Sequence, residues 1–202
     1  MAKIKLFSGM DFSGKTTIIN KINEEMPNTF KLKKKFLTPI QLIENVRKRD
    51  VWLSPEEWKP LLQENISKDI ENYKEEGLIL LDSLWIIKYL ANKIEKNDKE
   101  DVEEIITLKE LLKKYPPMDS FYITVSIEER MKRFQERAKI GSEITGSDKL
   151  LMDKAKFEKV EQIYKNIIMQ YFPDTRIIDT TDINLEQTVE LIIKDKNFIK
   201  DL

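Results

Sequence analysis

The run Gly9-Met10-Asp11-Phe12-Ser13-Gly14-Lys15-Thr16 fits the pattern G-x-x-x-x-G-K-[ST], a spacing suited to gripping a chain of phosphates. Gly9 and Gly14 let the backbone bend so that several N–H groups converge on phosphate oxygens. Lys15 supplies a point charge for the β- and γ-phosphates, and Thr16 a hydroxyl for Mg²⁺. A helix that starts here turns its positive end toward the anion. Further along, Asp82 closes the apolar run Leu78-Ile79-Leu80-Leu81. At the end of a buried strand, such a carboxylate holds Mg²⁺ through water or accepts a proton from an attacking hydroxyl. The plainer reading is a cap for a helix starting near Leu84.

Cations and one further acid complete the set. The six arginines are Arg47, Arg49, Arg130, Arg133, Arg137 and Arg176, and the spacing 130, 133, 137 puts three of them on one helical face. The planar arginine fork bonds two oxygens of a transferring phosphoryl group at once, which makes Arg133 and Arg137 candidate catalytic cations. Arg130 reads as a surface residue, on a helix whose Glu128, Glu129 and Glu136 are available to pair with its arginines. Asp11 stands inside the anion-binding loop, where it can hold the sugar or phosphate of an acceptor or stabilise a local turn. Trp58 reads as core, and Lys31, Lys33, Lys34 and Lys35 as a solvated face.

The elements that must place these groups alternate between strand and helix. Ile4 to Phe7 reads as a strand, and Ile18, Ile19, Ile22 and Met26 recur at helical spacing. A second strand is expected within Phe30 to Leu37, and a short helix around Leu42, Ile43 and Val46. Ser54-Pro55-Glu56-Glu57 is a helix start, with that helix running to about Glu76 and stopping at Gly77. The unbroken apolar run 78–81 reads as a strand buried on both faces. Helices are expected near Ser83 to Ile94 and Val102 to Tyr115, broken by Pro116-Pro117. Then come a strand at Phe121 to Val125, a charged helix at Glu128 to Ala138 and a polar loop at Gly141 to Asp148. A long helix carries Phe157, Val160, Ile163, Tyr164, Ile167, Ile168 and Tyr171 on its apolar face. A strand at Arg176 to Asp179 and a helix with Leu185, Val189, Ile192 and Ile193 end the chain. This order implies an α/β protein of three α/β/α layers, with a central, mostly parallel five-stranded sheet. One domain over 1–202 is expected, with a mobile lid near 137–150.

Composition narrows the chemistry. There is no Cys and no His, which removes thiol nucleophiles, cysteine-zinc sites and imidazole bases. Any general base must then be a carboxylate. A net charge of -1 argues against a broad nucleic-acid-binding surface. Met1 to Phe7 lacks the apolar core of a secretory signal, and no apolar run approaches a membrane span, so the expected compartment is the cytoplasm.

Several segments together resemble the thymidylate kinase family of nucleoside-monophosphate kinases. Phe7 to Thr17 is similar to that family's phosphate loop, with its internal acid and second threonine. Leu80-Leu81-Asp82 is similar to the strand that ends in the family's Asp-Arg pair. Met118 to Ser126, followed by Lys132-Arg133 and Arg137, resembles its strand and arginine-bearing lid. Phe157, Val160 and Tyr164, then Ile178-Asp179-Thr180 and Val189, resemble its closing helix, strand and helix. The resemblance implies that Gly9, Asp11, Ser13, Gly14, Lys15, Thr16 and Thr17 bind the nucleotide, that Thr16 and Asp82 hold Mg²⁺, and that Lys15, Asp82, Arg133 and Arg137 are catalytic. With Phe12 where some members carry arginine, the lid arginines would supply the catalytic cation. ATP and Mg²⁺ are the implied cofactors, and a homodimer the implied assembly.

The chain departs from the family on the acceptor side. Ser83 follows Asp82 where the family has the arginine that meets the acceptor monophosphate. Leu61, Leu62 and Gln63 stand near its middle-helix arginine, and Leu37-Thr38-Pro39 replaces its Arg-Glu-Pro-Gly loop; Arg47 is a candidate substitute for one lost contact. The expectation is an ATP-dependent phosphotransferase acting on a nucleoside monophosphate, dTMP or a related acceptor. The alternatives are a nucleoside kinase, with Asp82 as base, and a nucleotide-binding homologue without kinase activity.

Overall fold

The computed structural model describes residues 3–34, 76–97, 102–139 and 148–200, with Lys99 and scattered positions between 60 and 71. Strands β1 (Lys3–Ser8), β2 (Phe30–Lys34), β3 (Leu78–Asp82), β4 (Asp119–Thr124) and β5 (Arg176–Asp179) form one sheet in the order β2-β3-β1-β4-β5. Every pairing is parallel. Among the described residues the helices are α1 (Lys15–Glu25), α2 (Trp85–Lys96), α3 (Val102–Leu112), α4 (Ile127–Lys139), α5 (Lys154–Tyr171), α6 (Leu185–Ile193) and α7 (Lys196–Ile199).

Strand alternation builds the three layers. Ile4 and Leu6 of β1, Ile79 and Leu81 of β3 and Tyr122 of β4 point to one face, where they pack with Ile87 and Leu90 of α2, Leu108 of α3 and Val160 and Tyr164 of α5. Phe7, Leu80, Phe121 and Ile123 point to the other, against Ile18 and Ile22 of α1, Val189 and Ile192 of α6 and Phe198 of α7. Because both faces are covered, β3 needs no polar alternation, which is why Leu-Ile-Leu-Leu reads as an unbroken run. Lys5 is the exception in β1. It is fully buried, pairs with Asp119 at 2.9 Å and donates to the Asn197 carbonyl at 2.5 Å, tying α7 to the sheet.

The expected α/β/α order is the observed one. The second strand is described to Lys34, and the described positions between 60 and 71 are helical, as expected of a helix ending before Gly77 (φ +116°). The helix around Leu42, the start at Ser54-Pro55, Trp58, Arg47, Leu37-Thr38-Pro39, Leu61, Leu62 and most of the expected lid lie outside the described residues. The short helix α7 and a 3₁₀ turn at Asp148–Met152 were not foreseen; both are too short to show a period in sequence.

Candidate active site

In parallel register Phe7 of β1 lies opposite Asp82 of β3, so the phosphate-type loop leaves the sheet beside that carboxylate. Gly9 has φ +140°, and a Cβ there would sit 2.2 Å from the Ile123 carbonyl oxygen. Only glycine lets the loop pass so close to β4. Gly14, at φ +90°, is the first cap of α1 and offers it no side chain; the first turn of α1 carries no acid. The amides of that turn are therefore left for an anion.

Lys15 is buried and curls back over the loop, donating to the Met10 carbonyl at 2.8 Å and to the Ser13 hydroxyl at 3.2 Å. Loss of solvent pulls its ammonium down from 10.5 to about 8; Asp11 and Asp82 oppose the drop, while Lys88 and Arg130 add to it. A bound triphosphate would restore full protonation.

Thr16 donates its hydroxyl to Asp82 Oδ2 at 2.5 Å, and Ser83 donates to Oδ1 at 3.2 Å. The N-cap of α2 is Leu84, with no side-chain bond, so Asp82 does not cap that helix. Its carboxylate and the Thr16 hydroxyl are hard oxygen donors that fit Mg²⁺, which takes few protein ligands beside its phosphates. Thr17 follows on the exposed side of the first turn of α1.

The outer segment of the loop is gripped by two helices. The Asp11 carboxylate forms a short ion pair with Lys88 of α2. Arg130 of α4 corrects the surface reading: its side chain is wholly buried. Its Nε donates to the Val125 carbonyl at 3.1 Å, Nη1 to the Asp11 carbonyl at 3.0 Å, and Nη2 to Thr124 Oγ1 at 3.2 Å and Glu161 Oε1 at 2.6 Å. Arg133, one turn on, donates to the Phe12 carbonyl at 3.2 Å and to Glu129 at 3.0 Å. The Arg137 guanidinium lies 5.7 Å from the Phe12 ring centre. Both expected lid arginines thus reach the loop, although Arg133 also makes the intrahelical pair that a solvated helix would show.

Tyr164 of α5 lies beneath the loop. Burial pushes its phenol well above the ordinary tyrosine range; Asp11 and Asp82 add to the rise, and a backbone hydrogen bond from Gly9 opposes it.

Sequence reasoning missed Lys88, Arg130 and Tyr164. Lys88 carried a signal, a lone charge inside the run Trp85-Ile86-Ile87-Lys88-Tyr89-Leu90-Ala91. Arg130 carried less, since its charged neighbours Glu128, Glu129 and Lys132 suggest solvent. Tyr164 shows in the sequence only its place on the apolar face of α5.

No protein-family model matches the sequence, and no curated protein does. Solved structures do match. A thymidylate kinase from Candida albicans superposes with a TM-score of 0.67 at 22% identity, over 98% of this chain and 93% of that one. A deoxyadenosine kinase from M. mycoides with bound dATP gives 0.60 at 20%, over 96% and 97%. A thymidylate kinase from Ehrlichia chaffeensis gives 0.57 at 18%, over 96% and 97%. The fold is that of these nucleotide and nucleoside kinases. It places Gly9 to Thr17 and Asp82 at the carboxyl ends of adjacent strands, where open α/β sheets bind ligands.

Proposed function

We propose that this chain is an ATP- and Mg²⁺-dependent phosphotransferase that moves the γ-phosphoryl group of ATP to a nucleoside monophosphate, dTMP or a related acceptor. The observation that carries the proposal is the gathering of Lys15, Thr16 and Asp82 at the ends of β1 and β3, with the Thr16 hydroxyl 2.5 Å from the Asp82 carboxylate. Mg²⁺ held there would neutralise charge on the β- and γ-phosphates. Around it, the amides of the loop and of the first turn of α1 hold the phosphates, and Lys15 bonds the bridging region as charge moves onto ADP. An oxygen of the acceptor phosphate attacks the γ-phosphorus, and the bond to the β–γ bridging oxygen breaks. Arg133 and Arg137 are already at the loop and meet the equatorial oxygens in transit. Closure of the lid near 137–150 would exclude water, which otherwise competes as acceptor.

Lys88 answers the missing charge at Ser83. It stands on α2, paired with Asp11 inside the loop. When the acceptor binds, Asp11 turns to the sugar hydroxyl and Lys88 to the monophosphate.

A nucleoside kinase is the second reading. Ser83 favours it, because its uncharged hydroxyl turns back to Asp82 at 3.2 Å, and Asp82 would then be the base for the sugar hydroxyl. The fold shared with deoxyadenosine kinase from M. mycoides supports it too. A nucleotide-binding homologue without transfer is the third reading. A homodimer and a cytoplasmic location belong to the main proposal; Val102 and Ile106, exposed one turn apart on α3, support a covered helix face.

The test is ADP release from Mg·ATP against a panel of nucleosides and nucleoside monophosphates, with Lys15→Ala as control. Stimulation by monophosphates supports the proposal, and stimulation by nucleosides alone supports the second reading. ATP binding with no stimulation supports the third, and turnover that survives Lys15→Ala sinks all kinase readings.

A further inference from the structure

Two successive carbonyls of the loop, those of Asp11 and Phe12, are both taken by arginines of α4, Arg130 at 3.0 Å and Arg133 at 3.2 Å. A trans peptide unit carries its C=O and the following N–H on opposite sides, and no cis bond occurs among the described residues. Carbonyls drawn toward α4 therefore leave the N–H groups of Phe12 and Ser13 turned away from it, toward the inside of the loop where Lys15 lies. Phe12 sits at φ +62°, a left-handed conformation that is unusual for a bulky side chain. Successive amides around such a residue form the concave nest that binds anions. Something must hold Phe12 there, and two charge-assisted bonds from one helix can.

The two arginines are not equivalent. Arg133 is about one-third exposed and, among the described residues, held only by Glu129 besides the loop, so it can leave for a phosphate oxygen. Arg130 cannot. Its remaining donors go to Val125, Thr124 and Glu161, its guanidinium lies 5.2 Å from the Phe157 ring centre, and Tyr122 donates to the same Glu161 oxygen at 3.1 Å. Glu161 belongs to α5 and Thr124 to β4, so the core itself anchors the clamp.

We infer that Arg130 is a positioning residue: braced by Glu161, it holds the Asp11 carbonyl outward and so keeps the loop amides aimed at the β- and γ-phosphates of the donor. The inference rests on the donor half of the proposed function.

The experiment compares wild type, Arg130→Lys, Arg130→Met and the double variant Arg130→Met/Glu161→Gln. It measures melting temperature and the dissociation constants of ATP, inorganic tripolyphosphate and a nucleoside monophosphate. Arg130→Met alone should melt early, because it strands a partly buried carboxylate. The double variant removes both charges and should recover most of that loss, yet bind ATP and tripolyphosphate about tenfold or more weakly. Arg130→Lys keeps the charge on Glu161 without the fork, and should lose the same affinity with little change in melting. Acceptor affinity should fall less than donor affinity, because the acceptor meets the Asp11 side chain, which Lys88 also holds, and not the loop amides. Recovered melting together with wild-type tripolyphosphate affinity, or an equal loss for donor and acceptor, overturns the inference and makes Arg130 a core residue only. If the double variant does not fold, Arg130→Lys decides by the same criterion. Wild type that binds neither ATP nor tripolyphosphate defeats the proposed function itself, and the clamp with it.

Discussion

Replacing Lys15 with methionine should end turnover and, at neutral pH, stabilise the empty protein. Lys15 is 8% exposed, and burial has moved its ammonium from 10.5 to about 8. At about 1.4 kcal/mol per pH unit, the fold disfavours the charged form by roughly 3 kcal/mol. The amine's bonds to Met10 and Ser13 offset part of this at about 1 kcal/mol each, so methionine should gain on the order of 1 kcal/mol at pH 7. For a chain of 202 residues, that raises the melting temperature by about 2–4 °C. The sign depends on pH. Below about 8 the lysine is charged in both folded and unfolded chains, and the penalty is complete. Between 8 and 10.5 the folded lysine sheds its proton while the unfolded one keeps it, so the wild type gains stability. The advantage of Lys15→Met should therefore shrink as the pH rises above 8 and reverse within that window, about one pH unit in. Thermal unfolding without nucleotide, followed by circular dichroism from pH 7 to 10.5, reads both variants. A methionine variant less stable than wild type at pH 7, or a gap that does not change with pH, refutes the reasoning.

The same titration should govern the donor. ATP affinity measured by calorimetry should fall by up to about tenfold per pH unit above 8, as free Lys15 loses its proton, and Lys15→Met should abolish that dependence. Lys88→Met should raise KM for a nucleoside monophosphate by about 10- to 100-fold, the worth of one charged phosphate contact, while leaving ATP affinity nearly unchanged; steady-state kinetics reads both. Gly9→Ala forces a Cβ to 2.2 Å from a backbone oxygen and should fail to fold or lose nucleotide binding altogether. Gly14→Ala meets only the movable Arg133 Nη1 at 3.3 Å, and should lose about 1–2 kcal/mol to its left-handed backbone in chemical denaturation.

Where local chemistry decides, the sequence was readable. The phosphate-type loop needs its glycines, lysine and threonine in fixed order, and its flanking strand and helix show plain periodicity. The buried run before Asp82 and the amphipathic face of α5 were legible for the same reason. Arg130 was misread because its neighbours are charged while it is not at the surface. The spacing 130, 133, 137 put it on the face that meets the loop, but nothing within α4 reports that the loop, β4 and α5 close over this end of the face. Lys88 and Asp11 are 77 residues apart, and nothing along the chain announces their meeting.

The sequence by itself therefore determined a loop of the phosphate-binding pattern, a parallel sheet covered on both faces, and a chemistry without thiol or imidazole. These follow from residue type and spacing over a few turns of chain. Tertiary structure decided the rest. Parallel register set Asp82 beside the start of the loop, burial moved Lys15 toward neutrality, and two helices from distant parts of the chain gripped the outer loop segment. Such contacts depend on how separate elements cross, and that is set by the packing of the whole core rather than by any stretch of it.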